Sequence, residues 1–463
     1  MAKNRLLVNH QGDSIQLSWQ QGEAAPHFAP AVPFEHPFDT QALKDLRWYL
    51  EQYLRYPYGI EPDRAAKIEQ KFRDWGQQLF TLVFYRTEEA QEFFQQAIRE
   101  GLERCEIAIA SDNPAVLNLP WELLYSPKHQ FLAPLLAGIY RRVGIAHQAA
   151  VQTEIGEMPQ DKLNILLVIA RPYGEQDVAF QTIARPMLEA LKAIWQQVNL
   201  KVLRPPSFQE FEQELNANKG FYHIVHFDGH GTVNAKGQGE LVFETLFGTE
   251  QKVTAEKIAQ KLADCRVPVF VLNACKSAQE GGETFSSVAA QLILSGAKGV
   301  VAMAYSVYAE AAKHFIGGLY GELPRGASLA EAVAAARKMV LNQPLRPSPK
   351  GNLPLQDWLV PVLYQQETYT PFTPAVPLKS EIPNPESKIE MADLPEEGAY
   401  GFIGRDYDIL RLERAFRKNH VGLLKGMGGV GKTELSLGFA RWLDETQGRT
   451  GGIFFTSFER GRG

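Results

Sequence analysis

The order of apolar and polar positions divides the chain into a mixed N-terminal region and a later, regular alternation of strands and helices. Residues 6–8 and 15–19 are short alternating runs on either side of a Gln-Gly-Asp turn, which predicts a β-hairpin. Apolar residues then recur at helical spacing. We expect helices over residues 43–54, 65–80 and 88–102, and a strand over residues 106–110.

From residue 161 onwards, short apolar runs alternate with amphipathic segments. The predicted strands are residues 164–170, 201–203, 222–227, 267–274 and 299–303, and the predicted helices are residues 184–198, 208–215, 285–294, 309–320 and 329–341. Ser328 and Glu331 form a capping box at the start of the last helix. Such alternation is typical of an α/β fold with a doubly wound, mainly parallel sheet.

Proline density marks a boundary after this region. The stretch 365–398 contains Pro371, Pro374, Pro377, Pro383, Pro385 and Pro395. Proline at this density blocks helix and sheet hydrogen bonding, so an extended linker is expected. The predicted organisation is an N-terminal α+β region over residues 1–150, an α/β domain over 151–364, the linker over 365–398 and a further unit over 399–463.

Composition and charge narrow the class of protein. The chain has 48 basic and 53 acidic residues, a net charge of −5, which gives no basic field for nucleic acid. Its three cysteines are too few for a disulfide framework and fit a reducing compartment. The sequence shows no secretory leader and no apolar run of membrane-spanning length, so we expect a cytoplasmic protein without a membrane or nucleic-acid partner.

Two reactive side chains each follow a predicted buried strand. His230 comes after the run over 222–227, and Cys275 ends the run over 267–274. Sites in parallel sheets form where strands end, and an imidazole is the usual base for a nucleophilic thiol. The separation of 45 positions (275 − 230) is close to the spacing of about 50 in caspase-type proteases. The pair predicts a cysteine nucleophile with a histidine base.

The motifs around this pair resemble the CHAT family of caspase-like peptidases. The matching segments, which occur in family order over roughly residues 80–365, are Pro120-Trp121-Glu122-Leu123-Leu124, Gly229-His230-Gly231, Asn273-Ala274-Cys275-Lys276-Ser277, the Gly-Ala-x-x-Val run over 296–302, and Trp358 with Pro361-Val362-Leu363-Tyr364. The caspase box Gln-Ala-Cys-x-Gly is absent, so the chain is not a caspase proper.

The resemblance implies a caspase-like fold and a cysteine endopeptidase acting on protein or peptide substrates. Cys275 would be the nucleophile, and His230 would act first as general base and then as general acid. The backbone N–H groups of Gly231 and Cys275 would form the oxyanion hole. No cofactor is expected for the peptidase. The alternative is a catalytically idle caspase-like scaffold.

Several neighbouring residues have more than one interpretation. Asp228 is close to His230 in sequence and could orient the imidazole, shape a pocket for a basic substrate side chain, or be a solvated loop acid. Glu280 and Glu283 carry the same ambiguity. His223 and His226 fall on opposite faces of a strand, which favours packed or hydrogen-bonded histidines over a metal site. Trp121 and Glu122 are interpreted as packing and loop-anchoring residues.

The C-terminal unit contains the phosphate-binding pattern GxxxxGK[ST] as Gly426-Met427-Gly428-Gly429-Val430-Gly431-Lys432-Thr433. A strand is predicted before it, over residues 421–425, and a helix after it, through Trp442. Gly426, Gly428, Gly429 and Gly431 would let backbone N–H groups curl around phosphates. Lys432 would reach the β- and γ-phosphates, and Thr433 would ligate Mg²⁺.

With Phe402-Ile403-Gly404-Arg405 upstream, this unit resembles the STAND or NB-ARC class of signalling NTPases. That resemblance implies ATP or ADP with Mg²⁺ in an intact NTPase, self-association through it, and control of the peptidase in a signalling, defence or cell-death system. In the alternative, the caspase-like unit is an idle scaffold and this segment is its nucleotide-dependent assembly switch. After the predicted helix, the sequence has room for one more strand over residues 452–458. The sequence therefore predicts an incomplete NTPase with little ATP turnover.

Overall fold

The computed structural model describes residues 3–144, 156–174, 177, 184, 187–188, 191, 195–274, 283–374, 394–395, 402, 404–449 and 451–456. Its strands are β1 Asn4–Gln11, β2 Ser14–Gln21, β3 His27–Phe28, β4 Val32–Pro33, β5 Cys105–Ser111, β6 Tyr125–Ser126, β7 Gln130–Phe131, β8 Gly138–Val143, β9 Leu163–Ile169, β10 Val198–Val202, β11 Ile224–Val233, β12 Gly239–Glu244, β13 Glu250–Thr254, β14 Val269–Ala274, β15 Gly299–Met303, β16 Leu345–Ser348, β17 Gly351–Pro354 and β18 Pro361–Tyr364. The α-helices are α1 Thr40–Glu51, α2 Glu61–Phe84, α3 Glu88–Ala97, α4 Pro114–Leu117, α5 Phe208–Ala217, α6 Ala255–Asp264, α7 Glu283–Leu294, α8 Ala309–Glu322, α9 Leu329–Asn342, α10 Asp406–Phe416 and α11 Lys432–Glu445. None of the helices within these ranges combines the length and apolar character needed to cross a bilayer.

Fourteen of the described strands form one sheet, in the order β10-β9-β11-β14-β15-β18-β8-β5-β1-β2-β3 with β4, β12 and β13 attached at its sides. The strands from β10 to β15 are parallel. The strands from β18 to β1 are also parallel to one another, while β18 runs antiparallel to β15. The prediction of an α/β fold with a large, mostly parallel sheet is confirmed.

The N-terminal region continues the same sheet. The predicted hairpin is present as β1 and β2, joined by a turn at Gly12, which adopts a φ of +60°. The predicted helices and the strand β5 are also present, but α3 ends at Ala97, earlier than expected, and Gly101 adopts a φ of +112° before the chain turns into β5. Tyr364 of β18 pairs with Arg141 of β8, which joins the N-terminal strands to the later ones.

A buried ion cluster holds the Pro-Trp-Glu segment in place. Trp121 is fully buried and donates its indole N–H to the carbonyl of Val116, 2.8 Å away. Glu122 accepts two hydrogen bonds from Arg141 and one from Arg337, whose Nη2 lies 2.9 Å from its Oε1. The interpretation of Trp121 and Glu122 as packing and anchoring residues is confirmed.

The first part of the predicted linker is packed against the folded domain. The backbone N–H of Gln365 donates to the carbonyl of Arg141 at 3.0 Å, and Tyr369 accepts from the N–H of Leu329 at 2.8 Å. Phe372 is 3% exposed. Residues 365–374 therefore continue the domain, and residues 375–393 and 396–398 of the predicted linker lie outside the described residues.

The C-terminal segment contains its predicted helix without the predicted strands. Helix α11 begins at Lys432 and extends past Trp442, as expected. The strand predicted over 421–425 is wrong, and the described part of 452–458 is not a strand either. Val421 is 84% exposed and Leu423 is 78% exposed. An apolar run forms a strand only where a neighbour accepts its backbone hydrogen bonds, and the described residues supply none here.

Candidate active site

His230 lies inside a strand at the point where its neighbours change. The parallel ladder between β11 and β14 ends with Gly229 opposite Ala274. The next residue, His230, pairs antiparallel with Val242 of β12. The expectation that His230 comes after the end of its strand is therefore wrong, because the β12–β13 hairpin supplies a new partner that extends β11 to Val233.

The turn that brings β12 back onto β11 has a local cause. Asn234 accepts the backbone N–H groups of Lys236 at 2.9 Å and Gln238 at 3.0 Å, and Gly237 adopts a φ of +77°. An asparagine that binds its own backbone two residues on, followed by a glycine with positive φ, is a tight-turn signature. That signature was readable from the sequence and would have indicated the hairpin.

Of the other predicted residues around His230, the structure describes some and leaves others outside the described ranges. Gly231, a proposed oxyanion donor, lies in β11 opposite Leu241. Cys275 and Glu280 lie outside the described residues, and β14 is described up to Ala274. Glu283 is the first residue of α7. The proposed roles of these residues stay predictions.

The imidazole of His230 is held by an acid that sequence analysis missed. Its Nε2 donates to Oδ1 of Asp177, whose side chain is 2% exposed. The ring of Tyr173 packs edge-on against the imidazole, with ring centroids 5.0 Å apart. Nδ1 of His230 is buried and has no hydrogen-bond partner among the described residues. Asp177 follows β9 by eight positions and belongs to no recognisable motif, so only the fold brings it to His230.

Asp228 is engaged elsewhere. Its carboxylate accepts from Arg171 at 2.5 Å and from the amide of Asn273 at 3.2 Å. Arg171 also donates to the backbone carbonyl of Asp228 at 2.9 Å. Burial raises the pKa of Asp228, and the Arg171 guanidinium opposes that shift. At 3% exposure Asp228 is not a solvated loop acid. A role in a substrate pocket stays a prediction.

His223 and His226 are packing residues. His223 accepts the N–H of Asn164 at 2.9 Å through Nδ1, and its Nε2 donates to the carbonyl of Pro159 at 2.8 Å. His226 is fully buried beside the hydroxyl of Tyr320, 2.8 Å from its Nδ1, and burial lowers the pKa of His226 to about 3. Across the described ranges, no group of three His, Cys, Asp or Glu side chains is arranged to hold a metal ion.

The phosphate-binding motif forms an open glycine-rich turn before α11. Gly429 and Gly431 both adopt a φ of +80°, which favours glycine. Lys432 folds back over the turn, with Nζ 3.0 Å from the carbonyl of Gly426 and 2.8 Å from that of Met427. A Cβ placed on Gly428 or Gly429 would meet nothing within 4 Å. The turn is therefore open around Gly428 and Gly429, and phosphate binding by it stays a prediction.

A search of curated proteins found no match. Among solved structures, the chain is similar to a chain of the Saccharomyces cerevisiae separase–securin complex, with 13% identity and a TM-score of 0.38, covering 78% of this chain and 30% of that chain. It is also similar to the Arg-specific cysteine proteinase gingipain R of Porphyromonas gingivalis, with 11% identity and a TM-score of 0.33, covering 65% of this chain and 75% of that chain. Similarity at this level carries no argument about activity. The CHAT domain model matches residues 73–373 and leaves the phosphate-binding motif uncovered. Because that match spans well over half of the chain, this protein belongs to the CHAT family, a group of caspase-like peptidases.

Proposed function

We propose that this protein is a cysteine endopeptidase in which Cys275 is the nucleophile and His230 the base. The observation that supports it is the register of β11 and β14. Gly229 lies opposite Ala274, and these residues immediately precede His230 and Cys275. Neighbouring strands run about 4.8 Å apart, so a nucleophile and a base that continue an aligned pair are within reach of each other.

The reaction needs only groups of the chain. The Sγ of Cys275 attacks a peptide carbonyl while its proton passes to His230, and the imidazolium then protonates the leaving amine. The oxyanion is bound by the backbone N–H groups of Gly231 and Cys275. A water, deprotonated by His230, then hydrolyses the thioester. Caspase-like cysteine peptidases need no cofactor. Glu280 and Glu283 are proposed to favour a basic side chain before the cut.

A peptide carrying an acyloxymethyl ketone tests this proposal, because such a probe alkylates an activated thiol in a peptide-binding cleft. We expect labelling at Cys275 and its loss in His230→Ala. Cys105 and Cys265 are internal controls, because both are fully buried and burial raises the pKa of each thiol. If the probe fails on Cys275 while small iodoacetamide still alkylates it, the idle scaffold is the better description.

The second part of the proposal is that the C-terminal segment limits access to the peptidase site. Support comes from α10, which contacts the turn beside His230. Arg414 donates to the carbonyl of Arg171 at 2.6 Å and to Glu244 at 3.0 Å. Glu244 is 1% exposed and also accepts the backbone N–H of Arg171 at 2.9 Å. A Cβ on Gly174 would lie 3.2 Å from the ring of Tyr407. Helix α10 thus packs against the 171–174 turn, whose Tyr173 contacts the imidazole.

A second set of contacts joins α10 to the phosphate-binding turn. Arg405 precedes α10 and donates to the carbonyl of Val430 at 2.6 Å. Trp442 of α11 donates to Glu413 of α10 at 3.0 Å. ATP or ADP, with Lys432 on its phosphates and Thr433 on Mg²⁺, would compete for this turn and move α10. We propose that this couples a cytoplasmic signalling NTPase, self-associating through this segment, to the peptidase.

Arg414→Ala tests the restraint. Because α10 would limit entry rather than change the thiol, we expect peptide-probe labelling of Cys275 to accelerate about fivefold or more, the effect of losing a contact worth about 1 kcal/mol. Alkylation by iodoacetamide should stay unchanged. The control is Arg411→Ala on the same helix, because Arg411 is 66% exposed and its contacts, with Asp408 at 3.7 Å and with the Tyr407 ring at 5.9 Å, both stay within α10. Equal labelling of the two variants and the wild type would refute the restraint and leave the peptidase proposal standing.

A further inference from the structure

The acid at Nε2 of His230 is itself firmly placed. Asp177 uses Oδ1 for His230 and Oδ2 for the backbone N–H of Tyr173, 2.7 Å away. Its own N–H donates to the carbonyl of Gly174 at 3.1 Å, which closes a compact turn. With both oxygens engaged and 2% of its side chain exposed, the carboxylate has one orientation available.

This placement decides which ring nitrogen is the base. A carboxylate only accepts hydrogen bonds, so the His230 proton lies on Nε2. Nδ1 then carries the lone pair, and it is the nitrogen that is buried without a partner among the described residues. A neutral imidazole in this tautomer presents an acceptor to a thiol rather than a second donor.

The geometry points to Asp177 as the positioning residue of the site: it holds the imidazole of His230 so that Nδ1 takes the proton from Cys275. The inference rests on the proposed peptidase function and extends it by one residue. The proton leaves Sγ and binds Nδ1, giving a thiolate and an imidazolium whose Nε2–H remains on Asp177. The same proton later passes from Nδ1 to the leaving amine, so the carboxylate stays ionised throughout.

Other charged groups around His230 are already balanced. Asp228 on the same strand is paired with Arg171, 2.5 Å away. The hydroxyl of Tyr173 donates to Glu250 at 2.7 Å, and Glu250 is paired with Lys252, 3.7 Å away. Asp177 is therefore the acid whose charge acts directly on the imidazolium. An opposite charge within hydrogen-bond distance stabilises the charged form of its partner.

The test is the rate at which iodoacetamide alkylates Cys275, read by mass spectrometry at pH 6 and at pH 9.5. At pH 6 a thiol without a partner is almost entirely protonated, so rapid alkylation there depends on proton transfer to His230. We expect Asp177→Asn to slow alkylation about tenfold at pH 6, because the fraction of Cys275 present as thiolate falls about tenfold when the imidazolium loses its carboxylate. At pH 9.5 the thiol ionises without help, so the variant and the wild type should agree within about twofold.

Three further variants sharpen the result. Asp177→Glu should recover part of the rate at pH 6, because it restores the negative charge that the asparagine amide lacks. Asp264→Asn, an exposed acid on α6, should match the wild type. His230→Ala should lose more than Asp177→Asn. If Asp177→Asn unfolds the protein, the alkylation rate changes by a similar factor at both pH values. Unfolding also exposes Cys105 and Cys265 to iodoacetamide, so labelling of these two cysteines identifies it.

The possible outcomes distinguish a failure of the Asp177 inference from a failure of the proposed peptidase function. If His230→Ala slows alkylation at pH 6 and Asp177→Asn does not, Asp177 is not a positioning residue and the Cys275–His230 pair stands. An acid that only binds substrate gives that same result, because iodoacetamide is small and uncharged. If His230→Ala alkylates at the wild-type rate, or Cys275 does not react at either pH, the peptidase proposal fails together with the inference.

Discussion

Replacing Cys275 by alanine is expected to lower kcat/KM for peptide cleavage by at least about three orders of magnitude. Without the thiol no thioester can form, and the remaining groups can only bind substrate and polarise its carbonyl. The measurement is cleavage of a peptide library by the purified chain, followed by kinetics on the best substrate found. His230→Ala should lose a comparable factor, because nucleophile and base act as a unit.

The matched control is Cys265→Ala, which removes a thiol at the end of α6 that is fully buried and lies 3.6 Å from the amide oxygen of Asn216. Cleavage there should stay within about twofold of the wild type, provided that the melting temperature is unchanged. The double variant Cys275→Ala/His230→Ala should be no slower than either single variant. Retained cleavage in Cys275→Ala would overturn the assignment of the nucleophile.

The parallel half of the sheet was predictable because its strands are buried on both faces. Strands β9, β14 and β15 are nearly continuous apolar runs, which is the sequence pattern typical of central parallel strands. The capping box at Ser328 likewise placed the start of α9 correctly, because both of its hydrogen bonds are local. These features depend on neighbours in sequence or on general burial.

Features that depend on a particular distant partner were not predictable. The extension of β11 through His230 requires β12, and the acid at His230 is 53 positions upstream, in a turn without regular structure. The opposite error occurred at residues 421–425, where an apolar run predicted a strand that has no neighbour among the described residues. Apolar periodicity shows which secondary structure a segment can form. Whether a strand forms depends on a neighbouring strand that accepts its hydrogen bonds.

The contribution of Glu122 to stability also depends on partners that are distant in sequence, and its replacement has the largest expected effect on stability. Its side chain is 1% exposed and lies between Arg141 and Arg337, whose side chains are 2% and 0% exposed. We expect Glu122→Gln to lower the free energy of unfolding by about 3–5 kcal/mol, because it leaves two buried guanidinium groups without their carboxylate. Urea unfolding followed by circular dichroism measures the loss.

The charge balance of the cluster explains the size of this effect. Burial lowers the pKa of Arg337 to about 10 even though the Glu122 carboxylate opposes that shift. Arg337 otherwise donates to the carbonyl of Pro361, at 2.8 Å and 3.2 Å, and neutral carbonyls compensate a cation less than a carboxylate does. Pro361 begins β18, so the loss should spread from the Glu122 loop to the strand that joins the two halves of the sheet.

A surface pair and a double variant test that explanation. Glu322→Gln breaks an ion pair with Arg325 in which both side chains are well exposed, at 39% and 58%, and should cost no more than about 0.5 kcal/mol. Arg337→Met in the Glu122→Gln background removes one of the stranded charges. The double variant should therefore be more stable than the sum of the two single losses predicts, by about 1 kcal/mol or more. Strict additivity would mean that Glu122 stabilises the fold through packing, and that the buried charges are not what couples these elements.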